Sequence, residues 1–130
     1  MNTPERDAFL AFQASAGREL PAFLSKMDYD SYEKAAQMIL TCTKSGGRLH
    51  ITGIGKPGHV ASYAASLFSS TGIPTYFLHG TEAVHGSCGQ LVPGDIVICI
   101  SNSGETSELL TTVAAIKRNG CKVIGVTGRS

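Results

Sequence analysis

Beyond Arg48 the chain is a succession of short, unbroken apolar runs, at 49–52, 75–78, 96–100 and 122–126, with helical stretches at 60–70 and 106–117 between them. Polar residues do not alternate through these runs, so each strand must be covered on both faces, which is the condition of parallel strands. Parallel strands joined by helices of about a dozen residues form a doubly wound, three-layer α/β sheet. Right-handed crossovers then bring every strand-to-helix loop to one edge of that sheet. The two loops to inspect are therefore 53–58, after the first strand, and 101–106, after the third. At 130 residues there is room for one such domain.

The first 47 residues read as helices that pack on the α/β domain of residues 48–130. Residues 5–26 carry Phe9, Leu10, Phe12, Leu20, Phe23 and Leu24, punctuated by Gly17 and Pro21, and predict one interrupted helix or two short ones. A second helix follows from Ser31, its expected cap, through Tyr32, Ala35, Ala36, Ile39 and Leu40 to the stop at Gly46-Gly47. The last residues, Thr127 to Ser130, follow a strand without a covering helix, and the chain is expected to be a fragment of a longer protein.

Charge and cysteine usage exclude several classes of function. Eleven basic and ten acidic residues leave a net charge of +1, no excess with which to neutralise a nucleic acid backbone or an anionic membrane. Glu5, Arg6 and Asp7 stand where a signal peptide would be apolar, and no apolar run approaches the ~20 residues of a membrane span. Cys42, Cys88, Cys99 and Cys121 form no CxxC pair, and Cys99 and Cys121 fall in strand-like runs. A reduced, cytoplasmic setting is expected.

Loop 53–58, Gly-Ile-Gly-Lys-Pro-Gly, matches the dinucleotide pattern G-x-G-x-x-G between a strand and a helix. That pattern needs an acidic residue about 20 positions on, at the end of the second strand, to hold the ribose. Here the second strand runs into His79-Gly80, and Glu82 falls too late. The loop reads better as a close-approach turn in which Gly55 admits a ligand to the backbone, Pro57 starts the helix and Lys56 presents an ammonium. Its bland reading is a solvated surface lysine.

Loop 101–106, Ser-Asn-Ser-Gly-Glu-Thr, carries the densest chemistry in the chain. Free N–H groups and the positive dipole end at a helix start favour an anion, and the hydroxyls of Ser101, Ser103 and Thr106 with the amide of Asn102 add neutral donors. The alternative is that Ser103 merely caps the helix, a task one serine performs. Four polar residues exceed that need, so a phosphate is the expected ligand.

From Arg48 onward the acidic residues are Glu82, Asp95, Glu105 and Glu108. Asp95, after Pro93-Gly94, is expected to do no more than start a strand. Glu108, one turn into the helix after the serine loop, is either an acid/base aimed at the ligand's carbon skeleton or a first-turn dipole charge. Residues 79–90 form a long loop holding His79, Glu82 and His85, a length that is often functional. His79 and His85 lack helical i, i+4 spacing and a third ligand, so no metal site is assigned. His59 reads as a helix-surface residue and His50 as a strand residue.

Taken together, Gly53-Ile-Gly-Lys-Pro-Gly-His59, Ser70-Thr-Gly-Ile-Pro74, His79-Gly-Thr-Glu-Ala-Val-His-Gly86 and Ser101-Asn-Ser-Gly-Glu-Thr-Ser-Glu108 closely resemble the sugar isomerase (SIS) domain, in particular its arabinose-5-phosphate isomerase branch. The resemblance covers about residues 30–130. It implies a flavodoxin-like fold with a five-stranded parallel sheet and a serine-rich loop that binds the phosphate of a sugar phosphate. By position it assigns Ser101, Asn102, Ser103 and Thr106 to the phosphate, with Gly55 in the binding loop. Lys56 goes to the catalytic pocket and Glu108 to acid/base work, while Glu82 and His85 line the sugar end, His85 within the catalytic set. The implied reaction is a cofactor-independent aldose–ketose isomerisation through a cis-enediol, carried out by a homodimer or homotetramer.

Two departures stand out. Pro57 replaces the family's usual serine, and the family's remaining carboxylate and late histidine would fall after Ser130. SIS domains also act as sugar-phosphate sensors without turnover, often fused to a DNA-binding module. The first 47 residues hold five basic and six acidic side chains, the wrong balance for a DNA-reading helix pair.

Overall fold

The computed structural model describes residues 3–128. Its contacts cluster into two units, one reaching to Lys34 and one beginning at Ala35. In the first unit a single helix, α1 (Pro4–Leu24), runs without interruption through Gly17 and Pro21. A proline ring presses on the carbonyl four residues back, and here that residue is Gly17, which has no side chain to crowd the turn. Thr3 caps α1 by accepting the Arg6 N–H at 3.3 Å. The next helix, α2 (Tyr29–Lys44), starts two residues before Ser31. Its cap is Asp28, whose carboxylate accepts the Asp30 N–H at 3.1 Å and the Ser31 hydroxyl. Ser31 is thus a first-turn donor rather than the cap.

The second unit is the α/β sheet. In chain order it contains β1 (Leu49–Gly53), α3 (Lys56–Ser70), β2 (Thr75–His79), the one-turn α4 (Gly80–Ala83), a 3₁₀ turn at Ser87–Gln90, β3 (Ile96–Ser101), α5 (Ser107–Arg118) and β4 (Lys122–Thr127). The strands are all parallel in the order β2-β1-β3-β4. Among the described residues the sheet has four strands, one fewer than the resemblance implies. Residues 79–90, expected to be a plain loop, fold into α4 and the 3₁₀ turn. Elements of four residues are too short to show a period, and Gly80, Gly86 and Gly89 disguise them.

The unbroken apolar runs of β1 and β3 are buried between two cores, whereas β4, expected to be covered on both faces, has no buried residue. Leu49, Ile51, Ile96 and Ile98 meet Ala61 and Ala65 of α3 and Ile39 and Cys42 of α2 on one face. Val97, Cys99 and Leu78 meet Leu109 and Ile116 of α5, Ala83 and Cys88 on the other. All four cysteines are buried free thiols, with Cys121 one residue ahead of β4 instead of within it. Burial pushes their thiols up, Cys99 to about 12, which keeps it protonated and inert.

Among the buried residues Asp95 is the unexpected one, because it does far more than begin β3. Its carboxylate, fully buried, accepts the Arg48 backbone N–H at 2.9 Å, Arg48 Nη2 at 2.9 Å, His50 Nε2 at 3.0 Å and the Val92 N–H at 3.1 Å. Three of these donors share Oδ2, and the Arg48 backbone N–H takes Oδ1. Burial alone would raise its pKa, but the Val92 and Arg48 amides, the guanidinium and His50 together hold it below the usual value. His50 is pushed the other way, down, because desolvation of its ring outweighs the nearby negative charge. Neutral His50 donates from Nε2, which leaves Nδ1 as a buried acceptor.

Candidate active site at the carboxyl edge of the sheet

The strand order reverses between β1 and β3, since β1 leads outward to β2 and β3 outward to β4 on the opposite side. The loops that follow β1 and β3 therefore diverge from adjacent strand ends, over opposite faces, and leave a crevice between them. A cavity of about 220 Å³ occupies that place, lined by Ile54 and Pro57 from the first loop and Ile100, Ser101, Asn102, Ser103, Thr106 and Leu109 from the second.

The first loop is shaped by its glycines. Gly55, the N-cap of α3, has φ +68°, a left-handed conformation that disfavours any side chain. Gly53 and Gly80 pack backbone to backbone: a Cβ on Gly80 would lie 2.8 Å from the Gly53 carbonyl oxygen and 2.6 Å from Ile54 Cγ1. The ends of β1 and β2 are thereby held in one fixed relation. Lys56 opens α3 as an exposed side chain, and His59 is likewise exposed on that helix.

In the second loop Thr106 is the N-cap of α5, yet its side chain bonds no helix N–H. Its hydroxyl instead sits 3.5 Å from Ser101 Oγ. Ser101 Oγ accepts the Gly104 N–H at 3.0 Å, and Ser103 Oγ accepts the Glu105 N–H at 3.2 Å. Ser103 is therefore not the helix cap. The hydroxyls curl the loop on itself and line the start of α5, where amide N–H groups have no helical acceptor. The Gly128 N–H, just past β4, donates to the Asn102 carbonyl at 3.1 Å and ties the loop to the neighbouring strand end.

The structure thus gathers Ser101, Asn102, Ser103 and Thr106 around one cavity, whose lining does not include Gly55, Lys56, Glu82, His85 or Glu108. Those five are exposed, on elements that emerge at the same edge. Glu108 lies in the first turn of α5, Glu82 in α4 and His85 just beyond it. His79 ends β2, where its Nδ1 accepts the Glu82 N–H at 3.4 Å and caps α4. A residue that sequence reading passed over is Thr112 of α5, fully buried, which donates to the Gly80 carbonyl at 3.0 Å. Its signal, a threonine among the apolar residues of a helix, is faint. Among the described residues no helix is long and apolar enough to cross a membrane.

Residues 42–130 match the SIS domain. The chain is 36% identical over 114 residues to the arabinose 5-phosphate isomerase KpsF of Escherichia coli, covering 88% of this chain and 35% of that protein. It is 40% identical over 99 residues to KdsD of Pseudomonas aeruginosa, also an arabinose 5-phosphate isomerase, covering 76% of this chain and 29% of the relative. The chain thus spans about a third of the length of these curated relatives. A solved structure from E. coli CFT073, c3406 in complex with arabinose 5-phosphate, superimposes with a TM-score of 0.83 at 36% identity, over 100% of this chain and 67% of that one. The phosphoheptose isomerase GmhA of Neisseria gonorrhoeae, at 19% identity and a TM-score of 0.75, covers 96% of this chain and 75% of its own and shares the fold. With its parallel sheet, its serine-rich loop at the switch point and these matches, the chain belongs to the SIS domain family.

Proposed function

We propose that this chain is the sugar-phosphate domain of an aldose–ketose isomerase acting on arabinose 5-phosphate or a close analogue, interconverted with the corresponding 2-ketose. The observation that carries the reading is the convergence of Ser101, Asn102, Ser103 and Thr106 on a cavity at the start of α5. The relatives' activity and the sugar-phosphate complex of the E. coli neighbour support it.

In this reading the phosphate takes the loop amides and hydroxyls, which turn from their internal bonds toward the anion. Glu108 removes the proton from C2 of the ring-opened aldose and returns it to C1, through a cis-enediol. Lys56 offsets the negative charge that develops on the enediolate oxygen. Glu82 and His85 flank the sugar end, with Gly55 giving the substrate close access to the backbone. The chemistry needs no cofactor. The low charge and the apolar N-terminal segment fit a subunit of a homodimer or homotetramer, which light scattering tests directly.

The deciding experiment incubates protein that extends past Ser130 with arabinose 5-phosphate in D₂O and follows deuterium at C2 by NMR. Proton abstraction leaves its label even when net conversion is slow. Binding without exchange, across pentose and hexose phosphates, would replace this reading with that of a sensor.

A further inference from the structure

The carbonyl of Gly80 links two parts of the proposed site. On one side Gly80 is pressed against the Gly53 carbonyl and Ile54, at the root of the loop that carries Lys56. On the other it accepts the hydroxyl of Thr112, which is completely buried, at 3.0 Å. Thr112 lies on α5 one turn beyond Glu108, and the same hydroxyl is 3.1 Å from the Glu108 carbonyl oxygen. Residues four apart share a helix face, so the side of α5 that Thr112 fixes against Gly80 is the side from which Glu108 rises.

A threonine inside a helix usually bonds only the carbonyl four residues back. Thr112 has that acceptor available and also a second one, on a different element, at slightly shorter range. One hydroxyl proton cannot serve both fully. The bond to Gly80 gives α5 a fixed rotation about its axis, which packing by Leu109 and Ile116 alone would leave softer, since apolar contacts are not directional.

We propose that Thr112 is a positioning residue: through Gly80 it sets the direction of Glu108 relative to the Lys56 loop. The proposal rests on the isomerase reading above. It places the control of acid/base geometry one helical turn below the carboxylate, in a side chain that touches no substrate.

The test compares Thr112→Val, which keeps the shape and loses the hydroxyl, with Thr112→Ser, which keeps the hydroxyl. Turnover of arabinose 5-phosphate, its KM and inorganic phosphate binding are measured in each full-length variant, with thermal unfolding as a fold control. Thr112→Val should lower kcat at least about tenfold, with KM and phosphate affinity within about twofold, and Thr112→Ser should restore kcat to within about threefold. A Thr112→Val variant with wild-type kcat overturns the proposal. So does one that loses kcat, phosphate binding and melting temperature together without rescue by serine, the pattern of a merely structural residue. If Thr112→Val fails to fold, Thr112→Ser and Thr112→Cys decide, since activity must then follow the hydrogen-bonding strength of the side chain. Wild-type protein that binds without turnover removes the isomerase reading, and this proposal with it, before any variant is compared.

Discussion

Replacing Asp95 by asparagine tests whether the buried carboxylate anchors the sheet. The amide carries one acceptor oxygen where the carboxylate has two, and its NH₂ group must face a donor. If the amide oxygen takes the place of Oδ2, it retains some of the bonds from Arg48 Nη2, His50 Nε2 and Val92, while the NH₂ opposes the Arg48 backbone N–H. Each lost bond to a charged group is worth about 1.5–3 kcal/mol, and a buried donor left unsatisfied costs about 1–3 kcal/mol. Arg48 is 35% exposed at its side chain, so water replaces part of its contribution. The sum expected is about 3–5 kcal/mol, in the range for breaking a buried ion pair. With a urea m-value of about 2 kcal/mol/M, the unfolding midpoint should fall by roughly 1.5–2.5 M at pH 7. A fall of less than about 0.5 M, with m unchanged, would refute the reasoning and show that the apolar cores alone hold β1 to β3.

Other outcomes follow from the same structure. Because His50 has a depressed pKa, the folded chain binds fewer protons there than the unfolded one, so its contribution is complete above the usual value of 6.5 and is lost as pH falls below it. Urea midpoints taken between pH 8 and 5 should decline on the acid side, and His50→Gln should flatten that decline. Ser103→Ala should weaken phosphate binding by about 1–2 kcal/mol in calorimetry, the loss of one bond to a charged group at a half-buried side chain where water replaces part of it. Glu108→Gln should cut turnover at least ~10²-fold with phosphate affinity nearly unchanged, whereas Lys56→Ala should lower both turnover and affinity. Calorimetry with NAD should give no saturable heat, because β2 ends at His79 without an acidic ribose partner.

The central strands β1 and β3 are legible because burial on both faces leaves its mark in consecutive residues. The serine loop and the Lys56 loop were legible for a topological reason, since parallel strands send both to one edge. What escaped was whatever depends on pairing across the chain. His50 reads as one more strand residue until β1 and β3 are in register, and only then does Asp95 come within bonding distance. Thr112 is similar, since its acceptor belongs to an element too short to show a period. The cap of α2 was misplaced by three residues because Asp28 and Ser31 are both good caps, and their mutual hydrogen bond is invisible in a linear reading.

The central position of β1 bears on how the chain reaches this fold. Leu49 pairs with Thr75 on one side and with Ile96 on the other, 26 and 47 residues further along. Among the described residues no strand has a neighbour within hairpin distance, so each of these pairings closes a long loop before it gains contacts, and folding should be slow for a chain of this size. During synthesis β1 and β2 emerge before β3, with Arg48 and His50 still lacking their carboxylate. An intermediate of α3 and the first two strands would leave the backbone of β1 as an unpaired edge. Arrival of Asp95 and Ile96 closes that edge and neutralises the cluster in one step, and the open edge then passes to β3 until β4 pairs with it.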